Sequence, residues 1–242
     1  MQISLSHICK TFRGKAVLDD MSVYVEHGEM CVILGESGSG KTTLLRLIAG
    51  LEKPDSGTLS LGDTKVCGNG KFHQPYERNV GLIFQDLALW PHLSVYQNCE
   101  IVLRHRVKYR KERNAMVSET LERFRIADLS AAYPHTLSAG ERQRVSLARA
   151  IIAEPAVLLL DEPLNNLDVH LKAEISEMLR DLHARQNLTT IYVTHDFGEA
   201  LLLGTRACIL SAGKISHIGA TAEIVSIFTS GAYHSARHQN LE

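Results

Sequence analysis

The chain has 242 residues, 45% of them hydrophobic and 22% charged, with a formal net charge of -1. This is an ordinary globular composition with enough length for a full core, as one domain with a sub-domain or as two small domains. The near-neutral balance gives no sign of nucleic-acid binding, and no apolar stretch reaches the ~18 residues of a membrane span. The opening Met1-Gln2-Ile3-Ser4 lacks the charged and apolar regions of a signal peptide. Five scattered cysteines (Cys9, Cys31, Cys67, Cys99, Cys208) show no metal-ligand spacing and read as reduced cytosolic thiols. The final Leu241-Glu242 reads as a vector remnant.

In chain order, residues 1–30 carry short apolar runs (Ile3, Leu5 and Ile8; Val17 and Leu18; Met21, Val23 and Val25) punctuated by Gly14 and Gly28. They predict a small, mostly antiparallel sheet. Phe12 lies in it as a candidate platform for stacking a base. Met30-Cys31-Val32-Ile33-Leu34 is an unbroken apolar run, as expected of a strand buried on both faces. Gly35, Glu36, Ser37, Gly38, Ser39, Gly40, Lys41 and Thr42 follow and fit G-x-x-x-x-G-K-[ST], a phosphate-binding loop. Leu44, Leu47, Ile48 and Leu51 then fall on one face of a predicted helix. The loop thus joins a buried strand to a helix N-terminus, where unpaired N–H groups and the helix dipole favour an anion. Lys41 is placed for the β- and γ-phosphates and Thr42 for Mg²⁺.

Short strands are expected at 59–61 and 65–67, and a second buried strand at Val80–Phe84, ending at Gln85. An apolar segment broken by Pro91 follows. From 96 to 136 charges are dense and Val117, Leu121 and Phe124 recur at helical spacing, so a helical sub-domain is expected, its basic run a solvated face. Leu137-Ser138-Ala139-Gly140-Glu141 leads into a helix stopped by Pro155. Ala156–Leu160 predicts a third buried strand, running into Asp161-Glu162. Next come a helix carrying Leu171, Ile175, Met178, Leu179 and Leu182, a fourth strand at Thr190–Thr194 ending at His195, a helix through Ala200, a strand at Ala207–Leu210, and a helical tail. Strands alternating with helices give an α/β class with a mostly parallel core. The singled-out polar residues sit at C-terminal strand ends, where such sheets bind ligands. Asp161 is placed to hold Mg²⁺ and Glu162 to accept a proton from a water.

These motifs, in this order, resemble the nucleotide-binding domain of ATP-binding cassette (ABC) proteins over nearly the whole chain. They are the phosphate loop Gly35–Thr42, Gln85, the signature Leu137–Glu141, Asp161-Glu162, the loop Leu164-Asn165-Asn166-Leu167-Asp168, and His195. The resemblance implies a phosphate-loop core, an N-terminal antiparallel sheet and an inserted helical sub-domain at about 87–137. It implies ATP held by Lys41 and the N–H groups of Ser37 to Thr43, with Phe12 on adenine. Mg²⁺ would be served by Thr42, Gln85 and Asp161, with Glu162 polarising the water and His195 at the γ-phosphate. Ser138 and Gly140 would contact the nucleotide of a second copy of the chain, in a head-to-tail dimer enclosing two ATP molecules. The usual Leu-Ser-Gly-Gly-Gln signature has Ala139 and Glu141 here, and Glu141 is expected to point aside.

The segment Phe84–Val95 is similar to its equivalent in bacterial importers for sugars, polyamines, ferric iron, sulfate and thiamine. There it lines the groove that receives a helix of the membrane subunit, and Trp90 and Leu93 are the expected docking residues. The resemblance implies an ATPase subunit of an importer, at the cytoplasmic face of the membrane, with separate permease subunits and a solute-binding protein. An exporter subunit, or a non-transport ATPase of the superfamily, is the alternative. Many relatives carry a further C-terminal regulatory barrel, so the chain is expected to be a compact member or a piece of a longer one.

Overall fold

The computed structural model describes residues 1–229; Leu241 and Glu242 lie outside the described residues. The first 25 residues form a long hairpin, β1 (Ile3–Phe12) and β2 (Lys15–Val25), closed by Arg13-Gly14 with Phe12 opposite Lys15. After β3 (Met30–Leu34) and helix α1 (Lys41–Ala49), the chain adds β4 (Ser56–Leu61), β5 (Thr64–Gly68) and the two-residue β6 (Lys71–Phe72) to that hairpin. The result is an antiparallel sheet of order β2-β1-β4-β5-β6. It is larger than the short apolar runs predict, because bulges near His7 and Lys10 let β1 and β2 run on as continuous strands.

The second sheet takes β7 (Val80–Ile83), β8 (Val157–Asp161), β9 (Thr189–Thr194), β10 (Arg206–Ser211) and β11 (Lys214–Ala220). Its order is β11-β10-β3-β9-β8-β7, parallel throughout except for the β10–β11 hairpin. β3 shows how one strand serves two cores. Cys31 and Ile33 face α1 and the antiparallel sheet, while Met30, Val32 and Leu34 face the helices on the other side. Leu44, Leu45, Leu47 and Ile48 of α1 are fully buried between the two sheets, each worth about 1.5–3 kcal/mol of burial.

The other face is covered by helices: α2 (Val95–Leu103), α3 (Arg110–Arg123), α4 (Ala139–Ile151), α5 (Val169–Gln186), α6 (Phe197–Leu203) and α7 (Thr221–Thr229). α2 and α3, inserted between β7 and β8, bury Val95, Cys99, Leu103, Val117 and Leu121 in the same apolar cluster as Leu34 and Leu160.

Four local expectations are corrected. Gly50 terminates α1 in a left-handed conformation, so Leu51 lies beyond the helix and is exposed. β7 is the sheet's edge strand, which leaves Val80 and Leu82 half-buried. A strand, β11, precedes the final helix, since Gly213 makes a hairpin back onto β10. The basic run is partly structural: Arg113 gives Nε to Glu100 at 2.7 Å and Nη1 to the carbonyls of Val107 and Lys108. Arg106 binds the Ala153 carbonyl and Asn79 Oδ1.

Candidate functional site

Four neighbouring parallel strands, β3, β9, β8 and β7, deliver their C-terminal ends to one edge of the sheet. β8 ends in Asp161, and the segments that follow the four strands carry Gly35–Thr42, His195, Glu162 and Gln85. These residues, without Gly35, Ser39 and Asp161 but with Val17 and Thr43, line an open cleft of about 640 Å³. Val17 was not singled out in the sequence, where it reads as one more apolar strand residue. Its place on β2 brings it over the loop: a Cβ on Gly40 (φ +109°) would come within 2.9 Å of the Val17 carbonyl oxygen and 2.8 Å of Leu18 Cδ2. Gly40 is therefore required both by its conformation and by the approach of β2.

Lys41 is buried and its Nζ donates to the carbonyls of Gly35 (2.9 Å) and Glu36 (3.0 Å), with Glu162 Oε1 at 3.8 Å. Burial pulls its pKa below the ordinary lysine value, against the pull of Glu162 and Asp161. Asp161 is pushed the other way: burial raises its carboxyl, a hydrogen bond from Thr42 lowers it, and the adjacent Glu162 raises it. Glu162 sits on a sharp turn with φ +46°, a conformation costing about 1–3 kcal/mol in a non-glycine residue. Its N–H donates to the Val193 carbonyl at 3.0 Å, and its Oε2 accepts from Asn165 Nδ2 at 3.2 Å and lies 3.3 Å from His195 Nδ1. The strained turn thus aims the carboxylate at both Lys41 and His195, while the His195 ring stays largely in solvent.

The fit to a polyphosphate with a metal ion rests on three observations. α2, α4, α5 and α6 are capped by Ser94, Ser138, Asp168 and Asp196, whereas α1 and α3 have no side-chain cap, and of these two it is α1 that opens into the cleft. Ser39 Oγ is buried without a partner. No group of three or more His, Cys, Asp or Glu among the described residues can hold a metal. A cation beside Thr42 and Asp161 would therefore need oxygens from its ligand.

Other expected site residues lie elsewhere. Phe12 stands at the tip of β1, outside the cleft lining, 40% exposed and with Lys10 Nζ 4.9 Å from its ring centroid. Ser138 and Gly140 line a separate cleft of about 570 Å³ with Asp168, His170 and Glu174. Gly140 is buried against α5, where a Cβ would meet Leu171 Cδ1 at 2.6 Å. Glu141 does not point aside. Its Oε2 accepts from Ser138 N–H at 2.7 Å, and Ser138 Oγ accepts from Glu141 N–H at 3.3 Å, a reciprocal cap of α4. The Ser138 N–H, and after it the Ser138 hydroxyl, hold the Glu141 carboxyl below its usual range.

A third concavity, about 930 Å³ and mainly apolar, lies between β7, α2 and α4. Trp90 lines it, its ring under the Arg149 guanidinium at 5.0 Å and its backbone held at both N–H and C=O by Asn98. Leu93 does not line it; it is half-buried, and its carbonyl accepts from Asn98 Nδ2.

The family model described as "ABC transporter" matches residues 18–165. A sulfate/thiosulfate import ATP-binding protein of Bradyrhizobium diazoefficiens is 39% identical, the match covering 100% of this chain and 70% of that protein. A sulfate/thiosulfate import ATP-binding protein of Agrobacterium fabrum is 42% identical over 93% of this chain and 65% of its own length. A trehalose/maltose import ATP-binding protein of Thermococcus litoralis is 40% identical over 92% and 60%. The chain thus spans about two thirds of the length of these curated relatives. Among solved structures, the dimeric post-hydrolysis ATP-binding cassette MJ0796 bound to ADP and Pi superimposes with a TM-score of 0.81 at 28% identity, covering 90% of this chain and 98% of that one. Family match, relatives and shared architecture converge: the chain belongs to the ABC transporter family.

Proposed function

We propose that the chain is the ATP-hydrolysing subunit of an ABC importer. The observation that carries this is the convergence of Lys41, Thr42, Gln85, Glu162 and His195 in one cleft at adjoining strand ends. ATP would lie with its phosphates over the uncapped start of α1, held by N–H groups from Ser37 to Thr43, by Lys41 and by the loop formed by Gly35, Glu36, Gly38, Ser39 and Gly40. Thr42, Asp161 and Gln85 would hold Mg²⁺, which supplies charge neutralisation between the phosphates when bound. Phe12, at the hairpin tip, would offer its ring to the adenine.

The contacts of Lys41 suggest how the cleft is readied. Its ammonium donates to two loop carbonyls and faces Glu162 Oε1. A phosphate would draw it away, and Oε1 would then be left to take a proton from the attacking water, while Asn165 and His195 keep Oε2 fixed. His195 would then contact the γ-phosphate.

Ser138 and Gly140 lie in a different cleft from Lys41, which supports their acting on the nucleotide of a second copy of the chain in a head-to-tail dimer. No helix of the described residues is long and apolar enough to cross a membrane. Three relatives carry "import ATP-binding protein" in their names, which supports a place on the cytoplasmic face beneath separate permease subunits, served by a solute-binding protein. The Trp90 groove would seat a permease helix. Glu162→Gln is the direct test. Steady-state phosphate release should fall by about 10²–10⁴-fold while ATP still binds and holds the chain as a dimer. Undiminished turnover would rule out the role of Glu162.

A further inference from the structure

His195 is an exposed ring on a turn between β9 and α6, and its only side-chain partner among the described residues is Glu162. The residues on both sides of it are anchored to a buried polar network. Thr194 Oγ1 donates to Glu199 Oε2 at 2.7 Å and accepts from Asp196 N–H at 3.0 Å. Tyr192 Oη donates to the same Glu199 oxygen at 2.9 Å. The other side of the network is a cation from a different element. Lys172 Nζ, on α5, donates to Glu199 Oε1 at 3.0 Å and Asp196 Oδ2 at 3.3 Å. Lys172 lies in the first turn of α5, its N–H bonded to the carbonyl of the capping residue Asp168. Asp168 and Leu171 line the cleft of Ser138 and Gly140.

We propose that Lys172 is a positioning residue that ties the Ser138 cleft to His195, so that what occupies one cleft sets the histidine of the other. The physical route is short. A shift of the α5 N-terminus carries the ammonium with it. The ammonium holds both carboxylates of the β9–α6 turn, and these fix the backbone before and after His195. The cleft-to-cleft consequence rests on the dimer reading above; the positioning of His195 within one chain does not.

The experiment compares wild type, Lys172→Met, Lys172→Arg and the double variant Lys172→Met with Glu199→Gln. In the double variant the Lys172–Glu199 charge pair is gone, Tyr192 and Thr194 can still donate to the amide oxygen, and Asp196 keeps its N–H contacts from Gly198 and Glu199, so the fold is kept and the bridge is lost. Histidine-labelled chains are examined by NMR without nucleotide, the His195 ring signal being assigned by its loss in His195→Ala. The ring signal should move in Lys172→Met and in the double variant and stay near its wild-type position in Lys172→Arg. Turnover of the double variant should fall about 10- to 100-fold, and the Hill coefficient of its ATP dependence should drop below that of wild type. An unmoved ring signal in the folded double variant overturns the positioning role whether or not the chain hydrolyses ATP. A moved signal with wild-type turnover and unchanged ATP dependence overturns the coupling. A wild-type chain without ATPase activity instead contradicts the proposed function, and the ring signal still decides the role of Lys172.

Discussion

Glu141 shows how a single side chain changes meaning once its partners are known. In the sequence it is a negative charge in a motif expected to meet a phosphate. In the fold it closes a reciprocal hydrogen-bond pair with Ser138, and the Ser138 hydroxyl adds a further hydrogen bond to its carboxyl. Its lowered pKa sets the sign of a pH effect. The stabilisation is fully present above the unfolded value near 4.5 and is lost as pH falls through the lower folded value. Glu141→Gln retains an acceptor for the Ser138 N–H but has nothing to titrate. Thermal unfolding between about pH 3 and 5 should therefore show a smaller acid-induced loss for the variant than for wild type. Identical pH profiles would remove the carboxylate from the account of this cap. The loop Gly35–Thr42 and the pair Asp161-Glu162 were legible in the sequence because their chemistry is local: glycines, a lysine and acids at fixed spacing after apolar runs. Val17 and Lys172 were not, since each acts through a contact with residues distant in the chain.

α1 starts at the uncapped N-terminus proposed to hold phosphate, and its opposite end depends on a residue from the segment between β6 and β7. Arg78 is buried. Its Nη1 donates to the carbonyls of Leu47 (2.7 Å) and Ile48 (3.0 Å), its Nε donates to the His73 carbonyl, and the guanidinium lies 5.0 Å from the Phe72 ring centroid. A cation at a helix C-terminus both satisfies orphan carbonyls and complements the dipole. Truncation by Arg78→Ala leaves those carbonyls buried and opens a cavity, so a loss of about 3–5 kcal/mol is expected, measured by denaturant unfolding. A loss below about 1 kcal/mol would show that α1 does not need this cap. The strand and helix types were largely readable from periodicity, because β3 and β8 up to Leu160 are unbroken apolar runs, β9 is rich in β-branched residues, and α4 and α5 keep a helical stripe. The end of α1 at Gly50 and the strand β11 were missed for a physical reason. A terminal leucine matches the stripe whether or not the helix continues, and β11 alternates only half-buried with exposed residues, too weakly to stand apart from a helix.

At the scale of the molecule, two sheets and a helical layer place two separate clefts on one chain, the proposed half-sites. One holds Lys41, Glu162 and His195, the other Ser138, Gly140 and Asp168. Neither half contains both a phosphate loop and the Ser138 helix start, which is the physical basis for reading the working unit as a pair of chains. The most direct test mixes two inactive variants. Lys41→Ala removes the charge contact to phosphate in a subunit's own cleft. Ser138→Arg blocks the cleft that would meet the partner's nucleotide. If Ser138 acts across the dimer, a mixed dimer has one site with both lesions and one with neither. Phosphate release by the mixture should then rise above that of either parent. If Ser138 serves its own subunit's nucleotide, both sites of the mixed dimer carry a lesion and the mixture stays as inactive as the parents. That result, with mixed dimers shown to form and one intact site shown to suffice, would contradict the account.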